Sequence, residues 1–210
     1  MVRFSLLTAS VFLLGAPAFA GPVTSSRADL FSRAIALFGG RVVTASGFAN
    51  TVEGFGQYLT AVGVRRIGAA ELTRPNHPDV AERLGFHEFL PPREWWARGA
   101  ALALMTERLE RATGERIYIR NWWRPAAYNR DPRVAGAKNG DHPTANAFDL
   151  DFSSASARAK AERTLRAMEA HAPWLNLSLG LGAHTAHVGI GSSKGRREWH
   201  YAGWSPVKSR

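Results

Sequence analysis

Six consecutive residues, Ala147-Phe148-Asp149-Leu150-Asp151-Phe152, constrain the chain more than any other stretch. The run is short, apolar and suited to a strand, and strand alternation turns Asp149 and Asp151 to the same face. A carboxylate between Phe148 and Leu150 is partly buried and needs a partner. Two like charges on one face call for a cation nearby. One helical pattern follows at residues 154–171, and then three short strand candidates near 175–180, 185–190 and 197–202. Upstream, Trp95, Trp96, Leu102, Met105 and Leu109 keep helical spacing, with Gly114 as a C-terminal cap. Ile117 and Ile119 then alternate as in a half-buried strand. Strands separated by one long helix, without regular βαβ alternation, predict an α+β fold: a small antiparallel sheet flanked by helices.

The chain divides into three parts. Residues 1–20 carry Arg3 as their only charge, an apolar run and Ala18-Phe19-Ala20, the build of a secretory signal peptide. That run is short for a membrane span, so the expectation is an exported, periplasmic or extracellular protein with no transmembrane segment in its mature form. An uncleaved N-terminal anchor is the alternative. Residues 21–92 read as a helical and loop region, with one helix over residues 26–38 and a possible short one at 50–59 that Gly54 and Gly56 weaken. Residues 93–210 carry the strand patterns and the chemistry.

Without Arg3 the formal charge falls from +10 to +9. The basic residues are scattered, at Arg65-Arg66, Arg108 and Arg111, Arg158 to Arg163, and Lys194 to Arg197, with no aromatic-interleaved stripe. No nucleic-acid partner is therefore expected. An anionic cell wall would attract such a protein at long range. Cysteine is absent, so any metal site must use His and carboxylates.

His142 and Asp149 are such candidates, seven residues apart, at the end of a long loop and within the apolar strand. Near the C-terminus, Glu198 and His200 share one strand face while Trp199 and Tyr201 share the other. Two His and one carboxylate, with a position left for water, is the composition of a catalytic zinc site. A further carboxylate can act as general base. Alternatively, Glu198 pairs with Arg196 and His200 is a core histidine. His184 and His187, three apart, imitate a ligand pair but read as exposed or structural. Asp151 is the nearest rival of Asp149. Of Trp122 and Trp123, at least one belongs to the core.

Three blocks in order, Arg124-Pro125-Ala126-Ala127-Tyr128-Asn129-Arg130, residues 133–142 (RVAGAKNGDH) and Ala147-Phe148-Asp149, resemble the zinc D-Ala-D-Ala carboxypeptidases and related murein endopeptidases. The resemblance covers residues 93–204 and includes a His-x6-Asp pair and Val188-Gly189-Ile190-Gly191 ahead of Trp199-His200. It implies a zinc peptidase that cuts peptidoglycan stem peptides or crosslinks, with His142, Asp149 and His200 binding Zn2+. Arg124 would bind an oxyanion or a substrate carboxylate. Family members place Glu three residues, or His two residues, before the last ligand; here those positions hold Arg197 and Glu198. Strand alternation makes Glu198 the expected base. A wall-binding module of the same fold without activity is the alternative, and a basic exported polyanion-binding protein a more distant one. A monomer is favoured.

Overall fold

The computed structural model describes residues 27–206; the expected signal peptide lies outside the described residues. The fold is α+β, a five-stranded, mostly antiparallel sheet flanked by helices. No helix among the described residues is long and apolar enough to cross a membrane.

Helix α5 (Trp96–Thr113) is the centre of the helical layer, and α1 (Arg27–Leu37), α2 (Val52–Val62) and α7 (Ala155–His171) pack on it; α3 (Ala69–Thr73), α4 (Pro78–Arg83) and α6 (Ala126–Asn129) are short helices in the connections. It is buried around most of its circumference, so its two inward glutamates must be paired. Glu107 accepts from the backbone N–H groups of Arg65 and Arg66 at 2.7 and 2.5 Å. Glu110 accepts from Ile117 N at 3.0 Å and pairs with Arg116 at 2.7 Å. Gly114 ends the helix in the left-handed region, φ 77°, as the sequence predicts.

Helix α2 forms in spite of its glycines. Thr51 caps it by accepting from Gly54 N, and Gly63 closes it. A Cβ on Gly54 would lie 2.1 Å from the Ala49 carbonyl oxygen, so the residue that lowers helix propensity is required by close packing. Phe31, Ile35, Phe55 and Tyr58 join Trp96, Met105, Phe148 and Val188 in one core, which therefore spans both sides of residue 92.

Among the described residues the sheet runs β1 (Tyr118–Asn121), β2 (Ala147–Asp151), β4 (Thr185–Gly189), β3 (Ser178–Leu181), β5 (Arg197–His200), and only the β3–β5 pair is parallel. Its register sorts every side chain into rows. Leu150, Ala186, Leu181 and His200 lie in one row, and Phe148, Val188, Leu179 and Glu198 in the next. These rows belong to the helix-covered face. On the opposite face, Asn121, Asp149, His187, Gly180 and Trp199 form one row, and Ala147, Gly189, Ser178 and Arg197 its neighbour.

Candidate metal centre

The second face carries the chemistry. His142 opens a short 3-10 turn, His142–Thr144, and its ring reaches down to Asp149 on β2. Its Nδ1 lies 2.6 Å from the Trp122 carbonyl oxygen, which can only accept, so the ring proton sits there. Nε2 then presents a lone pair to Asp149 Oδ1 at 3.0 Å. From β4, Nδ1 of His187 approaches the same oxygen, also at 3.0 Å. The other carboxylate oxygen of Asp149 accepts from Arg124 Nη2 and, at 3.1 Å, from Asn121 Nδ2.

Behind His187 is Asp141, almost fully buried. It accepts from Ser178 Oγ at 2.7 Å, Ser192 Oγ at 3.1 Å and Arg197 Nη2 at 2.8 Å, and it faces His187 Nε2 at 3.4 Å. Burial pushes the Asp141 carboxyl up, but these donors hold it far below the ordinary carboxylate range. Asp149 is likewise held well below that range despite its burial. Burial depresses His142 and keeps it neutral. His187 is raised, because the bonds to Asp141 and Asp149 outweigh its burial.

This arrangement fits a metal cation. One ligating atom from each of His142, Asp149 and His187 lies within 4.8 Å of the others. A neutral His142 with its proton on Nδ1 leaves two acceptors, Nε2 and Asp149 Oδ1, facing each other in a buried place. A cation between them removes that conflict. Two imidazoles and one carboxylate suit Zn2+, and the chain has no thiolate to offer a softer ion.

The cluster lies on the wall of a cavity of about 360 Å³ that Arg124, Asn129, Gly136, Arg197, Trp199 and Tyr201 also line. The structure brings the expected residues His142, Asp149 and Arg124 together at this cavity and does not bring Glu198 and His200 there. Both stand in the helix-facing rows of β5, through the sheet from Asp149. His200 stacks on Trp204 at 3.5 Å and bonds Glu198 at 2.9 Å, and Arg166 of α7 grips Glu198 with two bonds of 2.8 and 2.9 Å. His187 stands where His200 was expected. Asp151 pairs with Arg120 away from the cluster, and His184 is exposed.

The place of Trp199 escapes a reading of the sequence. Trp199 occupies the site face because Gly180 beside it has no side chain: a Cβ there would lie 2.4 Å from the indole. Alternation along Ala186-His187-Val188 does carry a signal, since it turns His187 away from the two apolar neighbours that enter the core. Trp122 is the core member of its pair, and Gly99 of α5 makes room for it. A Gly99 Cβ would lie 2.5 Å from the ring, so Gly99→Ala should lower stability by about 1–3 kcal/mol, measurable as a reduced thermal midpoint. It should also weaken metal binding, because the Trp122 carbonyl orients His142.

No protein-family model, curated protein or solved structure matches the chain.

Proposed function

We propose that the protein is a zinc-dependent peptidase acting on peptidoglycan stem peptides or crosslinks, as a D-Ala-D-Ala carboxypeptidase or a murein endopeptidase. The observation that carries the reading is the convergence of His142 Nε2, Asp149 Oδ1 and His187 Nδ1 on the wall of an open cavity. The blocks that resemble the wall peptidases support the substrate class, because Arg124, Asn129, Gly136, His142 and Asp149 all line this same cavity. Bound zinc supplies Lewis acidity and a water of lowered pKa.

The chain's own residues supply charge and hydrogen bonds. Arg124, locked on Asp149, and Arg197, locked on Asp141, place two guanidinium groups at the cavity, suited to a developing oxyanion or a substrate carboxylate. Tyr201 lines the cavity with its phenol protonated at neutral pH and able to donate. Asn129 is fixed by its bond to the Ala137 carbonyl at 3.1 Å and holds the loop that forms the rim.

A specific observation favours a second reading. The carboxylates lining the cavity are Asp149, a ligand, and Asp141, which is surrounded by donors. With Glu198 on the other face, neither is a free base, as in a wall-binding module without turnover. Digestion of purified peptidoglycan by the zinc-loaded protein, read by product masses, separates the two. A peptidase releases terminal D-Ala or opens crosslinks, loses this with chelator, and keeps it in Glu198→Ala. Zinc-dependent retention on the wall without cleavage would instead establish the module.

A further inference from the structure

We propose that Asp141 is the positioning residue of the metal centre: it holds the Nε2 proton of His187, so that Nδ1 is presented to the metal. The inference rests on the zinc reading above and adds a residue to which the resemblance gives no role. Asp141 directly precedes His142, so one short segment supplies both a ligand and the group that orients the other histidine.

The carboxylate is held on every side. Oδ2 takes Ser178 Oγ at 2.7 Å from β3 and Arg197 Nη2 at 2.8 Å from β5, and it faces His187 Nε2 at 3.4 Å on β4. Oδ1 takes Ser192 Oγ at 3.1 Å. Its own carbonyl accepts from Asn146 N at 2.9 Å and Thr144 Oγ1 at 3.1 Å, which fixes the backbone. Gly189 completes the cradle: a Cβ there would lie 2.3 Å from Ser178 Oγ and 3.2 Å from Asp141 Oδ2. Three strands and two loops thus converge on one buried carboxylate.

The two nitrogens of the His187 ring face different acids. Asp149 stands at Nδ1 and Asp141 at Nε2. A metal ligand must offer a bare nitrogen, and the hydrogen bond at the other nitrogen selects which one that is. Asp149 is itself a ligand, so the proton belongs at Asp141. Arg197, fixed on the far side of the carboxylate with its guanidinium over the Trp199 ring at 5.0 Å, holds Asp141 in place.

The test is zinc affinity of the full-length protein, by competition with a chromophoric chelator, together with nitrogen-15 NMR of the zinc-loaded histidines. Wild type should show a proton on His187 Nε2 that exchanges slowly. Asp141→Ala should bind zinc about 10–100-fold more weakly and lose that protected proton. Asp141→Asn, which keeps an acceptor oxygen and the shape, should fall between the two, and it decides the matter if the alanine variant does not fold. Wild-type affinity in both variants, or His187 carrying its proton on Nδ1, overturns the role of Asp141 alone. A wild-type protein that binds no zinc overturns the metal reading as well.

Discussion

His187→Ala is expected to abolish tight zinc binding, whereas His200→Ala leaves it unchanged. The loss should exceed the roughly 10–100-fold that follows removal of an outer-shell partner, because a ligand itself is deleted. In wild type, zinc at ~100 times its dissociation constant should stabilise the fold by about 2.7 kcal/mol, raising the thermal midpoint by roughly 5–11 °C. That shift should vanish in His187→Ala and persist in His200→Ala. The physical reason is the register of β5. His200 lies in line with Leu181, Ala186 and Leu150 on the helix-covered face, and no rotamer carries its ring through the sheet to Asp149.

The second large effect concerns the helix that covers that face. Arg158 and Glu162 pair one turn apart on α7, with side chains only 4% and 2% exposed. Arg166 joins Glu162 to Glu198, so a chain of alternating charge runs from the interior of α7 to the edge strand β5. Truncating one partner of a buried pair leaves an uncompensated charge. Glu162→Ala should therefore lower stability by about 3–5 kcal/mol, roughly 6–20 °C in thermal midpoint. Among the described residues Arg158 has little to fall back on: it also bonds the Ser205 carbonyl at 3.1 Å, and its Nε has no hydrogen-bond partner there. Glu198→Ala, with a side chain 30% exposed, should lose about 1 kcal/mol or less. Calorimetry of the two variants checks the contrast. Equal losses would show that the ladder is a surface feature.

Period and capping located α5, α7 and β2 within a few residues, because Trp96, Leu102, Met105 and Leu109, the Gly114 cap, the helical pattern over 154–171 and the Phe148/Leu150 alternation are local signals. The same local logic correctly placed Glu198 and His200 on one face of their strand. It could not say which face of the sheet that was. This depends on how β5 lies beside β3, a pairing that joins Gly180 to Trp199 across 19 positions of sequence. Aromatic residues are ordinarily the core side of a strand, so Trp199 and Tyr201 were expected behind the site. The space left by Gly180 instead lets Trp199 lie on the site face, 5.2 Å from the His187 ring. Asp141 was invisible for a related reason. Its meaning comes from Ser178, Ser192, Gly189 and Arg197, none of which is near it in sequence.

The identity of the third ligand is tested most directly by zinc-edge anomalous diffraction from crystals of the full-length protein grown with zinc. One strong peak is expected between His142 Nε2, the Asp149 carboxylate and His187 Nδ1, at the wall of the cavity. A peak at Glu198 and His200 with the His142–Asp149–His187 cluster empty would contradict it.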